Sequence, residues 1–227
     1  MVELSRHELA VRMAELARAL AAPRSLDDIL IDVTKAATEL IPGVDTAGIL
    51  LVGDGGTWDS LAGTSDLPSQ LDELQVTYQE GPCMEAALGD IVVRTDDFRE
   101  ETRWPRYSKV AVEIGVLSGL SLKLYTADRT AGALNLFGFQ PRVWDSEAET
   151  IGTVLAAHAA AALLASRHTD QLTSALNSRD RIGQAKGIIM ERYRVGDVQA
   201  FEMLRRLSQD SNTKLVDIAQ QVIDSRD

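Results

Sequence analysis

Apolar residues recur along this chain with a helical period at both ends and a strand-like period in the middle. Leu9, Met13, Leu16 and Leu20 follow at steps of four, three and four, which predicts an opening helix stopped by Pro23. Ser25, with Asp28 beyond it, predicts the cap of a second helix; its apolar face is Leu26, Ile29, Leu30, Val33, Ala37 and Leu40, and Pro42-Gly43 ends it. Thr46–Val52, TAGILLV, reads as a buried strand, and Gly53-Asp54-Gly55-Gly56 as the turn into TWDSLAGT. Short helices are expected over Leu67–Leu74, within GPCMEAALGD, and over Tyr107–Ile114, where Gly115 is the stop. IVVRTDD is a short strand, and Gly119–Tyr125 and Ala131–Phe139 form a hairpin through the turn TADRT. Ser146 is expected to cap a long helix that reaches about Leu164.

Beyond Ala165 the pattern is helical throughout. Ala165, Thr169, Leu172 and Leu176 make a short, partly polar coiled-coil seam. A further helix runs to about Tyr193 and breaks at Arg194-Val195-Gly196. Asp197 is expected to cap the next one, which carries Ala200, Phe201, Leu204 and Leu207. After the loop QDSNTK, Asn212 or Thr213 is expected to cap a final helix with the apolar stripe Leu215, Ile218, Ala219, Val222 and Ile223. This order predicts an α+β chain: a mostly antiparallel sheet with flanking helices over 1–165, then a helical linker and a three-helix unit over 166–227. The two parts are joined by helix rather than by flexible chain, so a change of register or splay can pass between them.

Charge divides the chain at the same place. Residues 1–165 hold 13 Lys+Arg against 25 Asp+Glu, and residues 166–227 hold 10 against 9. An acidic field repels polyanions, so nucleic-acid binding is expected only in the C-terminal part, and there only from clustered cations. No apolar run approaches the roughly 18 residues of a membrane span; the alanine-dominated Ala156–Ala165 reads as a packed helix. The absence of a secretory pattern and the single cysteine, Cys83, favour a reducing cytoplasm. His7, His158 and His168 form no ligand-spaced cluster with that cysteine, so no metal and no cofactor is expected. Neither a G-x-S-x-G turn nor a phosphate-binding glycine loop is present, and the inventory does not read as an enzyme.

Ile182–Tyr193, IGQAKGIIMERY, sets Lys186 and Gly187 inside a helix, where glycine costs about 1 kcal/mol relative to alanine. Gly187 either lets a neighbouring helix approach closely or leaves room for a ligand beside Lys186, whose charge has to reach solvent or an anion. Several motifs agree here: Arg-x-x-Ile-x-x-Ala-Lys-Gly-Ile-Ile-Met, Ala-Phe-x-x-Leu-Arg-x-x-Ser and a late Leu-x-x-Ile-Ala. Over about Leu172–Asp224 the chain resembles the ANTAR domain. The resemblance implies a three-helix bundle that binds RNA and prevents transcription termination by holding a pair of stem-loops. Over about Leu4–Ser166 the chain looks like a GAF domain, on its opening helices, Glu80-Gly81-Pro82-Cys83, Arg103-Trp104-Pro105, the Gly119–Leu124 strand and GALNLF. That resemblance implies a sensory module that binds a small molecule or dimerises through its helices.

On these resemblances Lys186, Arg205, Arg206 and Lys214 are the expected contacts to RNA phosphates and loops, with Arg192 and Arg194 weaker candidates. Ordinary solvation or helix-dipole roles compete with that reading. Cys83, Asp96, Asp97, Arg103 and Trp104 are the candidates to line a sensor ligand pocket. Cys83 also reads as a small buried hydrophobe, or as a reactive thiol at a helix start. Trp58, Trp104 and Trp144 belong either to a pocket or to the core. The expected state is a homodimer through the N-terminal helix and Ser146–Leu176, gripping two linked hairpins. A DNA-binding helix-turn-helix over Asp197–Gln209 and Asn212–Ile223 is the competing class. Its connection is expected to be too long and lacks glycine, and its recognition helix carries Lys214 against Asp217 and Asp224. A protein-interaction module docking on the last apolar stripe is the third class.

Overall fold

The computed structural model describes residues 24–52, 57–89, 91–126 and 129–225, together with 11, 14, 15 and 18. The predicted opening helix (Leu9 to Pro23) and the Gly53–Gly56 turn fall outside them. The chain separates into two compact units, Met1–Ala165 and Ser166–Asp227.

The first unit is α+β. Helix α1 (Leu26–Leu40) starts at Ser25, whose side chain accepts from the Asp28 N–H as the sequence predicts. Strands β1 (Thr46–Val52) and β2 (Trp58–Leu61) follow, then α2 (Leu67–Tyr78), α3 (Pro82–Leu88), β3 (Val92–Thr95), α4 (Pro105–Glu113), β4 (Ser118–Thr126) and β5 (Arg129–Gly138). Helix α2 runs a turn past the expected Leu74, because its inward face continues to Gln75 and beyond. All pairings are antiparallel, in the order β2-β1-β5-β4-β3.

The sheet is covered on both faces, and the period-two alternation of its strands sorts side chains between two cores. Leu134 and Leu136 of β5 join Leu120, Leu122 and Leu124 of β4 against α1 and the start of the last long helix. Ala133 and Phe137 point the other way, into a core with Leu71, Cys83, Phe98, Trp104 and Tyr107. Trp104 and Trp144 are core residues, whereas Trp58 is only partly buried.

That long helix, α5, is continuous from Ser146 to Tyr193, a 48-residue element where the sequence suggested a succession of helices. It is also capped differently from the prediction: Asp145, not Ser146, accepts from the Ala148 N–H with its side chain. By length and composition alone α5 is apolar enough to cross a membrane, but half of its most apolar window is buried, and Ala156, Ala159 and Leu163 pack in the core as the sequence reading expects. Ile151, Leu155, Ala159 and Leu163 sit in the sheet core, as a soluble-protein core helix would place them.

The second unit consists of the C-terminal part of α5, α6 (Asp197–Ser211) and α7 (Leu215–Asp224). Its core is Ala185 and Ile189 of α5, Ala200 and Leu204 of α6, and Ile218 and Ala219 of α7. Of the four apolar residues the sequence places on α6, Phe201 and Leu207 are exposed by 36% and 50%. The caps differ too. Gly196 precedes α6, Asn212 ends it in the left-handed region (φ 49°), and Lys214 is the N-cap of α7.

Candidate functional site

In the sensor unit, the inner face of α2 brings a polar pair into an apolar core. Asp72 and Gln75 lie one turn apart and are both buried. The Asp72 carboxyl accepts from Asn135 Nδ2 at 3.0 Å, from Gln75 Nε2 at 3.3 Å and from Ser60 Oγ at 2.7 Å. Ser121 Oγ donates to Asn135 Oδ1 at 2.8 Å, and the Cys83 N–H donates to Gln75 Oε1 at 2.8 Å. The network thus ties α2 and α3 to β2, β4 and β5. No cation compensates the carboxyl, so burial pushes its pKa up to about 7 despite three donors. Burial, with the Asp72 charge second, also raises the Cys83 thiol far above its ordinary value. Tyr107 OH, Ser108 Oγ and Trp144 Nε1 are buried and have no hydrogen-bond partner among the described residues. A cleft of about 540 Å³ opens beside Asp72, lined by Leu50, Trp58, Ser60 and Val76 among others.

The five sensor-half candidates do not converge on one cavity. Trp104 lines a cleft of about 410 Å³ with Gln79, Glu80, Gly81, Met84, Glu85 and Gly89, and its Nε1 donates to Glu85 Oε2 at 3.1 Å. The Arg103 guanidinium lies 4.2 Å from the Trp104 ring centroid and bonds to Glu85 and Glu101. Cys83 is sealed in the core, which corrects both its pocket and its reactive-thiol readings: α3 starts at Pro82, but the thiol is fully buried near Asp72 and Asn135, with no cation among the described residues to stabilise a thiolate. Alkylating reagents are therefore expected to leave native protein unmodified and to add a single label after unfolding, as read by intact mass. Asp97 is turned into a loop of its own, accepting from the Arg99 side chain at 2.8 and 2.6 Å, a bond that holds its pKa below the usual carboxylate range. Asp96 is exposed and pairs with Arg94 at 2.6 Å. Both aspartates lie away from the two clefts.

In the helical unit, the four expected RNA contacts occupy different settings. Lys186 is half-buried, pairs with Asp197 and lies 6.0 Å from the Phe201 ring centroid. Arg205 is exposed and bonds to Glu202 at 2.8 Å. Arg206 and Lys214 are exposed, with no ion pair among the described residues. Asp197, predicted as a helix cap, makes no capping bond and serves Lys186 instead. Gly187 corrects the close-packing reading: a Cβ there would meet nothing within 4 Å, so no neighbouring helix offsets its propensity cost. The same openness holds at Gly183. Gly183, but not Gly187, lines a groove of about 940 Å³ between α5 and Phe201. The sequence reading missed Phe201 because an aromatic next to Ala200 and Leu204 reads as core; its offset of one residue from that stripe was the available signal.

One argument against the helix-turn-helix class fails on this geometry. The connection between α6 and α7 is only Asn212, Thr213 and Lys214, and Asn212 takes the left-handed role of a turn glycine. The charge argument stands, since Asp217 and Asp224 lie on α7 and Lys214 only precedes it.

A GAF domain profile matches residues 23–164, more than half of the chain. The chain belongs to the GAF domain family. An ANTAR domain profile matches residues 170–223, so the architecture is GAF followed by ANTAR. No curated protein matches the chain. Among solved structures, the GAF domain of a phosphoenolpyruvate-protein phosphotransferase from Coxiella burnetii is similar at 17% identity and TM-score 0.61, covering 74% of this chain and 99% of that one. The GAF domain of an Acinetobacter phosphoenolpyruvate-protein phosphotransferase gives 16% and 0.57, covering 73% and 97%. A bacteriophytochrome from R. palustris gives 11% and 0.59, covering 83% of this chain and 43% of that one. At these identities the likeness is one of fold. GAF domains are sensory and ANTAR domains are RNA-binding antitermination modules, so this GAF–ANTAR chain has the architecture of a regulator.

Proposed function

We propose that this GAF–ANTAR chain prevents transcription termination by binding paired RNA stem-loops, under the control of its GAF half. The observation that carries the reading is the ANTAR match over 170–223, on a helical unit whose exposed cations include Arg205, Arg206 and Lys214. In an otherwise acidic chain these residues, with Lys186, are the phosphate and loop contacts. Residues 1–165 form the sensory domain, and residues 166–227 the linker and output domain. The chain acts as a cytoplasmic homodimer, so that two copies hold two linked hairpins and gain effective concentration. Support for dimerisation comes from the seam on α5, where Leu172 and Leu176 are 67% and 61% exposed. The GAF half either takes up a small molecule, with Trp104 and Arg103 at its cleft, or sets the geometry of the dimer.

Fluorescence anisotropy at fixed salt tests this, with a tandem-hairpin RNA, a single hairpin and a duplex DNA as probes. Wild type is expected to bind the tandem hairpin well above the other two. Arg205→Ala/Arg206→Ala should weaken that binding about tenfold or more and flatten its dependence on log salt by about two. Equal affinity for one hairpin and two would remove the paired-hairpin mechanism. Preference for the duplex DNA would favour the helix-turn-helix class.

A further inference from the structure

We infer that the groove beside Phe201 is a nucleotide site, in which one unstacked base of an RNA loop lies on the Phe201 ring. The inference rests on the RNA-binding reading and specifies how the RNA is read. Phe201 is the only aromatic residue of α6 and α7, and its ring is 36% exposed at the wall of the groove rather than in the bundle core. An aromatic face at the wall of a groove can stack any base.

Three further features suit the same occupant. Lys186, held by Asp197, sets a cation 6.0 Å from the ring centroid, beside the position a stacked base and its phosphate would share. Arg179 lines the groove without an ion-pair partner among the described residues, so its guanidinium is free for phosphate. Gly183 also lines it, and the absence of a Cβ there lets a sugar-phosphate backbone approach the helix closely. Gln184 and Asp180 also line it, beside the smaller Ala175 and Ser178 and the apolar Ile182; an amide and a carboxylate together can bond the donor and acceptor edge of a base. The volume of about 940 Å³ accommodates a nucleotide with room for its neighbours. The groove thus combines a ring, two cations and a base-reading edge, the set a stacked nucleotide uses.

The test uses full-length protein and a two-hairpin RNA that the wild type selects from a pool with randomised loops. Each loop position of that RNA is then made abasic in turn, and affinity is measured for wild type, Phe201→Leu and Phe201→Tyr. One loop position should cost wild type about tenfold on losing its base. That penalty should vanish in Phe201→Leu, which binds the intact RNA about tenfold more weakly, and persist in Phe201→Tyr. Thermal melts and sedimentation of each variant accompany the titrations. Phe201→Leu binding as tightly as wild type, or keeping the full abasic penalty, overturns the stacking site while leaving the RNA reading intact. A change of oligomeric state in Phe201→Leu with no change in the abasic profile assigns the groove to a second copy and overturns it as well. A pool without enrichment removes the RNA reading itself, and the site with it.

Discussion

Replacing Asp72 by asparagine is expected to stabilise the sensor unit at pH 8 while leaving it close to wild type at pH 4. The Asp72 carboxyl is protonated in the folded unit up to a pKa of about 7, against an ordinary value of 3.8 in the unfolded chain. Below pH 4 both states hold the proton. Between pH 4 and 7 the unfolded chain ionises while the folded unit does not, so stability falls as pH rises through that window. Above 7 the folded carboxyl ionises too and the full penalty persists, about 2–4 kcal/mol for a shift of this size. Asparagine carries no charge and keeps the shape: its carbonyl oxygen can accept from Asn135 and Gln75, and its amide can donate to Ser60. Urea unfolding followed by tryptophan fluorescence checks this. All three tryptophans, Trp58, Trp104 and Trp144, lie in the sensor unit, so the signal reports that unit alone. Parallel pH profiles for wild type and Asp72→Asn would mean that Asp72 does not titrate in this way.

Gly132→Ala is expected to be the most damaging small substitution in the sheet. Gly132 has φ 134° and pairs with Leu51 across β1 and β5. An added Cβ would lie 1.9 Å from the Leu50 carbonyl oxygen and 2.8 Å from the Leu51 Cα. Both are backbone atoms of a central strand, so no side-chain rotation relieves the contact; β5 would have to leave β1 at that end. Together with the backbone strain this should cost about 4 kcal/mol or more, enough to unfold a domain of ordinary stability. Soluble yield and the same fluorescence midpoint measure it. A midpoint equal to wild type would show that the strands re-register around an alanine.

Elements whose borders are set locally could be read from the sequence. Ser25 caps α1 because its hydroxyl needs only the N–H of Asp28, and Thr46–Val52 is a strand because an apolar run buried on both sides has few alternatives. The helical join between the two parts was legible, but the unbroken length of α5 to Tyr193 was only half so. Between Leu163 of the sheet core and Ala185 of the helical core no described α5 residue joins either buried cluster fully, and a stripe with such a gap reads as two helices. The caps of α6 and α7 were misread because Asp197, Asn212 and Thr213 all have capping side chains, and tertiary context decided among them. Lys186 stood out as a charge amid small residues. The Asp72 network did not, since its members come from three strands and two helices, a convergence that no spacing records.

The Lys186–Asp197 pair has a consequence for selectivity against small ligands. Any anion that takes Lys186 leaves the Asp197 carboxylate without its cation. For a lone phosphate the exchange is close to even, one ion pair gained for one lost. A ligand that also covers Phe201 and reaches Arg179 has a surplus the lone ion lacks. If Lys186 contacts RNA as proposed, the pair would work as a threshold, turning away free phosphates and mononucleotides that offer charge alone and admitting chains that present several contacts at once.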